Sequence, residues 1–107
     1  MDLFDRYYTI CKGLHVRFPG GDDPFRILAR LMEESGELAD QVHHFEGIGR
    51  KAKRAEAPDR VQLAKECQDV ITAVLHIVMH YGVEAELAAL AKKHYHQVLE
   101  EGLADRG

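Results

Sequence analysis

Apolar side chains recur every three or four residues along most of this chain, which is the spacing of amphipathic helices. Turn-forming glycine, proline and aspartate residues interrupt the pattern and divide it into four stretches. The predicted helices span residues 2–16, 24–46, 58–81 and 84–101. No stretch alternates apolar and polar positions as a half-buried strand would. The sequence therefore predicts one all-α domain of four helices over residues 1–107.

The ends of these helices carry capping signals. Asp23 precedes Pro24, and this order sets an N-cap side chain before a proline at the first helical position. Gly47 suits the left-handed residue that follows a helix. Asp59 opens the third helix as Asp23 opens the second, and Gly82 ends it. The boundaries thus follow from local chemistry as well as from the apolar period.

The second half of the third helix, residues 70–79, is apolar on nearly every side. A helix of this kind needs cover around most of its circumference. Three other helices in a chain of 107 residues provide too little cover for it. We therefore expect the four-helix bundle to be completed by oligomerisation, as a homodimer or a dimer of dimers.

Composition and charge narrow the class of protein. Hydrophobic residues make up 46% and charged residues 30%, as in a soluble globular protein. The net charge of −4 argues against a nucleic-acid polymer as partner, which would favour a basic surface. No apolar run is long enough to cross a membrane, and the first residues lack the form of a signal peptide. Because Cys11 and Cys67 have no metal-binding spacing and are predicted to be reduced, we expect a cytoplasmic protein.

Two acidic pairs lie on core-facing sides of the second and third helices. Glu34 and Glu37 are three residues apart, and so are Glu66 and Asp69, so each pair shares one helix face. If the two helices pack antiparallel, four carboxylates converge, and their mutual repulsion would raise their pKa values. A hard divalent cation relieves that repulsion. Carboxylate oxygens suit Mg²⁺, with Mn²⁺ as its substitute.

Other interpretations of these acidic residues are also compatible with the sequence. Acidic pairs are common on solvated helix surfaces, where they bind nothing. Arg30, one turn before Glu34, is the basic residue at helical spacing that could neutralise it without a metal. His76 and His80 share a strip of the third helix with Asp69 and would suit a transition metal. No histidine follows a glutamate by three residues, however, as helical di-iron sites require.

The acidic residues resemble a known signature. Glu33-Glu34-x-x-Glu37, followed after 28 residues by Glu66-x-x-Asp69, resembles the EExxE…ExxD pattern of the MazG-like all-α nucleoside triphosphate pyrophosphohydrolases. The run at positions 36–39 is similar to the GEL(A/V) run of that family. The resemblance covers residues 24–92 and implies a MazG-like four-helix fold.

This resemblance implies Mg²⁺-dependent hydrolysis of a (deoxy)nucleoside triphosphate to the monophosphate and pyrophosphate, with a house-cleaning role in the nucleotide pool. Glu34, Glu37, Glu66 and Asp69 match the metal ligands of the family. Glu33, Glu34 and Glu37 would form the catalytic set. Glu33 lies one position away from the ligand face, where it is either a base or orienting group outside the metal ligands, or a solvated residue.

Positive residues supply candidate phosphate contacts under the same resemblance. Lys51, Lys53 and Arg54 lie between the two acidic helices, and Lys92 stands where the family often has a lysine on its fourth helix. The asparagine that the family has four residues later is His96 here, and the frequent Lys-Tyr-Pro ending is missing. This departure favours one alternative function, a non-catalytic regulator that binds metal or nucleotide in the same architecture.

Overall fold

A computed structural model describes residues 2–17, 23–53 and 55–103, apart from the side chains of Val16, Lys51 and Ala52. Its helices are α1 (Leu3–Arg17), α2 (Pro24–Phe45), α3 (Arg50–Lys53), α4 (Arg60–Tyr81) and α5 (Glu84–Glu100). The described ranges contain no strand, so the predicted all-α fold is confirmed. The four long helices match the predicted ones, and α3 is a single turn inside the predicted loop. Among the described residues, no helix is long and apolar enough to cross a membrane.

The predicted caps form at the ends of α2 and α4. The Asp23 side chain accepts hydrogen bonds from the backbone N–H groups of Phe25 and Arg26, at 2.8 and 3.3 Å. Asp59 caps the start of α4 in the same manner. After α2, Gly47 has a φ of 76°, a left-handed conformation that glycine adopts without strain. These local signals explain why the helix boundaries could be predicted closely.

Helices α2 and α4 pack antiparallel. Arg30 Nη2 donates to Thr72 Oγ1 at 3.1 Å. Near the other end of α2, His44 Nε2 lies 2.6 Å from the carbonyl oxygen of Glu56, just before α4. Residues near the start of α2 therefore contact the second half of α4, and residues near the end of α2 lie close to the start of α4. The buried apolar residues of the core are Cys11, Ile27, Ala73, Leu75 and Val78.

Helix α1 covers one side of α4, whereas α5 stands further out. Cys11 Sγ donates to the carbonyl oxygen of Thr72 at 3.3 Å, which ties α1 to the middle of α4. No residue of α5 is buried. Its first turn is held by a hydrogen bond from the Tyr8 hydroxyl to Glu84 Oε1 at 2.9 Å. An apolar cleft of 460 Å³ lies between α1, α4 and α5.

The chain is less compact than is usual for a domain of this length. Its radius of gyration is 17.0 Å, whereas a compact domain of this size has about 13 Å. Its accessible surface is 8181 Å², against about 6,000 Å² for a compact monomer of this mass. Leu87 and Leu90 of α5 are about half exposed. Apolar surface that a compact fold would cover therefore stays accessible.

Candidate metal centre

The packing of α2 against α4 brings three carboxylates together, those of Glu34, Glu37 and Glu66. One oxygen atom from each lies within 4.8 Å of the others. Antiparallel packing is the cause, because it sets the acidic face of α2 against that of α4. Among the described residues, no other group of three or more acidic, histidine or cysteine side chains has its ligand atoms this close. We call these three residues the acidic centre.

Two buried oxygen atoms of the acidic centre have no hydrogen-bond partner in the part of the chain that the structure describes. Glu66 is only 4% exposed, and its Oε1 accepts a hydrogen bond from Gln62 Nε2 at 2.8 Å. Within the described chain, Oε2 of Glu66 and Oε2 of Glu34 have no such partner. A buried acceptor without a partner is unfavourable by about 1–3 kcal/mol, because it loses its hydration without replacement. A cation bound at these oxygens would remove that penalty.

The titration of Glu34 reflects the crowding of negative charge. Burial raises the pKa of its carboxyl group above the ordinary 4.5. The negative charges of Asp69, Glu37 and Glu66, together with a hydrogen bond to Glu37, raise that pKa further. Glu34 is therefore the group that gains most clearly from a positive charge placed beside it.

Asp69, the fourth predicted ligand, lies at the edge of the acidic centre and is engaged by a lysine. Lys65 Nζ donates to Asp69 Oδ2 at 2.9 Å and lies 3.7 Å from Glu66 Oε1. The hydrogen bond to Asp69 raises the pKa of the Lys65 ammonium, and the charges of Asp69, Glu66 and Glu34 add to that effect. One ammonium thus offsets part of the negative charge.

The interpretation of Arg30 as the partner of Glu34 is wrong for the described structure. The Arg30 guanidinium donates to Thr72 Oγ1, and that hydroxyl donates to the backbone carbonyl of Asp69 at 3.1 Å. The ion pairs of Glu66 and Asp69 come from Lys65 instead. Arg30 therefore supports the turn of α4 that carries Asp69.

The donor set fits a hard divalent cation. Glu34, Glu37 and Glu66 offer only oxygen atoms, and carboxylate oxygens are the ligands that Mg²⁺ and Mn²⁺ prefer. Gln62 and Lys65 contact Oε1 of Glu66 and leave its buried Oε2 for another partner. The predicted ligands Glu34, Glu37 and Glu66 therefore lie together, with Asp69 beside them.

Comparison with known proteins found no match to this chain, whether among protein-family models, curated proteins or solved structures. The resemblance to the MazG-like family therefore stays a prediction based on the spacing of the acidic residues. The geometry of the acidic centre is the independent observation from which a function can be inferred.

The predicted residues of α2 and α3 outside the acidic centre differ in how far the structure describes them. Glu33 is exposed on α2, one residue before Glu34. Lys53 is exposed at the end of α3. Lys51 lies in α3, but its side chain is outside the described part of the structure, and Arg54 is outside the described residues altogether. Their roles stay predictions.

Lys92 and His96 lie on the exposed helix α5. Within the described chain, neither forms a hydrogen bond or ion pair with a residue of the acidic centre. The imidazole of His96 packs edge-on against the neighbouring Tyr95 ring at 5.6 Å. The predicted substrate contacts of α5 thus stay predictions as well.

Sequence reasoning missed three polar residues around the acidic centre. Gln62 and Lys65 each lie four residues before the acid that they contact, Glu66 and Asp69 respectively. This helical spacing is a signal that the sequence does contain. Gln41, one turn beyond Glu37, is 3% exposed, and its Oε1 has no hydrogen-bond partner within the described chain. The polar interior of α2 therefore extends one turn further than predicted.

The raised pKa of Glu34 predicts how the stability of the metal-free protein depends on pH. The folded protein holds this proton more tightly than the unfolded chain, so this group favours folding at low pH. That contribution is lost as the pH rises from the unfolded value of 4.5 through the raised pKa of the folded state. In urea titrations with a chelator present, Glu34→Gln should therefore gain stability relative to the wild type as the pH rises through this window.

Glu33→Gln is the matched control for this measurement, because Glu33 is exposed and one residue away on the same helix. Replacing this exposed side chain should change the unfolding free energy across this pH window less than Glu34→Gln does. Equal changes in the two variants would contradict the crowding of charge around Glu34.

Proposed function

We propose that this protein is a Mg²⁺-dependent pyrophosphohydrolase that converts a (deoxy)nucleoside triphosphate to its monophosphate and pyrophosphate. The main support for the proposal is the meeting of two acidic helix faces, where buried oxygens of Glu34 and Glu66 have no hydrogen-bond partner among the described residues. The EExxE…ExxD spacing supports the same activity. Following that resemblance, we assign the enzyme a MazG-like fold and a house-cleaning role in the cytoplasmic nucleotide pool.

The carboxylates have distinct tasks in this proposal. Glu34, Glu37, Glu66 and Asp69 would hold the cation, and two packed helices keep these side chains in position. A bound Mg²⁺ would neutralise phosphate charge and lower the pKa of a bound water. We assign to Glu33 the role of orienting the attacking water or accepting its proton from outside the metal ligands.

The phosphate groups of the substrate need positive partners besides the cation. We assign this role to Lys51, Lys53 and Arg54 between the acidic helices. Lys92 and His96 would contribute from α5. Because α5 has no buried residue in the single chain, contacts from that helix depend on how copies of the chain assemble.

Loss of a metal ligand should abolish hydrolysis without loss of the fold. With Mg²⁺ and a panel of canonical and modified nucleoside triphosphates, we expect the wild type to release pyrophosphate from at least one of them. Glu37→Gln should lower kcat/KM by at least about a hundredfold, since the loss of a group that only supports a metal ligand already costs ten- to a hundredfold. Glu37 is exposed, so its substitution should spare the fold.

Asp40→Asn is the matched control, because Asp40 is an exposed acid three residues further along the same helix. It should retain the activity of the wild type. Absence of pyrophosphate release from every triphosphate, or full activity in Glu37→Gln, would contradict the proposed enzyme.

A non-catalytic regulator that binds metal or nucleotide is the second candidate. It is favoured by His96 at the position of the family asparagine, and by the exposed setting of Lys92 and His96 on α5. The two candidates differ in one result. A regulator would bind Mg²⁺-nucleotide in a calorimetric titration, yet release no pyrophosphate during prolonged incubation at the same concentrations.

We also propose that the protein is a homodimer or a dimer of dimers. Its surface exceeds that of a compact monomer by about 2,000 Å², more than the roughly 800 Å² that each partner buries in an ordinary interface. The exposed apolar residues of α5 and the adjacent cleft offer such a surface. Burial of this surface in an assembly would complete the bundle around the apolar half of α4.

The oligomer is tested by the mass of the protein in solution. Light scattering after gel filtration should give two or four times the mass of one chain. Leu90→Asp, which places a charge on the apolar side of α5, should lower that mass or the concentration-dependent stability. Lys93→Asp, on the same exposed helix, should leave the mass unchanged. A wild-type protein that stays monomeric at all concentrations would contradict the assembly.

A further inference from the structure

Lys65 is a positive group that lies against the acidic centre. Its Nζ is 2.9 Å from Asp69 Oδ2 and 3.7 Å from Glu66 Oε1. More than half of the Lys65 side chain is exposed, at 55%, whereas the side chains of Asp69 and Glu66 are 22% and 6% exposed. The ammonium therefore approaches the buried acids from the solvent side, on a flexible stem of four carbon atoms.

The carboxylate oxygen that Lys65 binds most closely differs from the buried carboxylate oxygens that lack a partner among the described residues. Lys65 holds Oδ2 of Asp69, and Asp69 is the one predicted ligand that does not belong to the group within 4.8 Å. The buried Oε2 atoms of Glu34 and Glu66 have no hydrogen-bond partner within the described chain. Lys65 therefore neutralises the outer edge of the site and leaves its interior uncompensated.

We propose that Lys65 is a tethered counter-ion that holds Asp69 in the cation-free protein, gives it up to an incoming divalent cation, and then binds a phosphate group of the ligand. This inference rests on the proposed metal centre and names a phosphate-binding residue that the acidic motif does not contain. The exchange is a change of ionic partners, in which no covalent bond forms or breaks.

Three features of the structure make this exchange feasible. The Lys65–Asp69 pair is a single contact within one helix, four residues apart, and pairs of this kind are weak enough to be replaced by a divalent cation. The exposed ammonium can leave Asp69 without movement of the α4 backbone, because it is the tip of a flexible side chain. Once released, it stays beside the cation, where a polyphosphate ligand would present new oxygens to it.

The exchange predicts opposite effects of one substitution on two ligands. Lys65→Gln should bind Mn²⁺ alone about tenfold more tightly in a calorimetric titration, because the cation no longer competes with the ammonium for Asp69. With Mn²⁺ saturating, the same variant should bind inorganic tripolyphosphate about tenfold more weakly, because a positive partner is missing. If the substitution only impaired folding, the binding of both ligands would be weaker.

Two further variants separate the effect of the charge at position 65 from the effect of losing a positive charge elsewhere on the protein. Lys65→Arg keeps the charge and should bind both ligands more nearly as the wild type does. Lys93→Gln removes the same charge from exposed α5 and should change neither affinity. Equal Mn²⁺ affinity in the wild type and Lys65→Gln, or unchanged tripolyphosphate affinity, would overturn the proposal while the metal centre stands. No Mn²⁺ binding by either protein would instead overturn the metal centre, and with it the role of Lys65.

Discussion

Carboxylates that two packed helices hold close together repel one another, and this repulsion dominates the electrostatics of the acidic centre. Glu34, Glu37 and Glu66 place oxygens within 4.8 Å of one another, and the charge of Asp69 reaches the same site. Like charges at this separation are unfavourable unless a proton, a cation or an ammonium offsets them. Lys65 offsets part of this charge, and in the described part of the chain buried oxygens of Glu34 and Glu66 have no hydrogen-bond partner. Such an arrangement is expected where the missing charge is supplied by a ligand.

The fold is arranged so that these groups stay together. Arg30 and Thr72 link α2 to the turn of α4 that carries Asp69, and His44 joins the end of α2 to the segment before α4. The antiparallel pair is thus fixed on both sides of the acidic centre. In contrast, α5 buries no residue, so its apolar side stays exposed in the single chain.

The sequence predicted the features that depend on neighbours along the chain. Asp23 and Asp59 cap their helices as expected, and the spacing of the acidic pairs identified the faces that meet. Choices between partners across the fold were harder to predict. Arg30 was at a suitable distance in sequence for Glu34, yet its guanidinium bonds to Thr72, which only the packing of α4 brings within reach. The same limit explains why the open position of α5 was not predicted, because an amphipathic pattern specifies a face and not the element that covers it.

Anomalous diffraction from crystals soaked in Mn²⁺ would show whether the acidic centre binds a divalent cation. We expect a peak between Glu34, Glu37 and Glu66, on the side of Asp69. No peak there, or a peak only in the separate pocket lined by His15, His76, Met79 and His80, would contradict a metal site at the acidic centre.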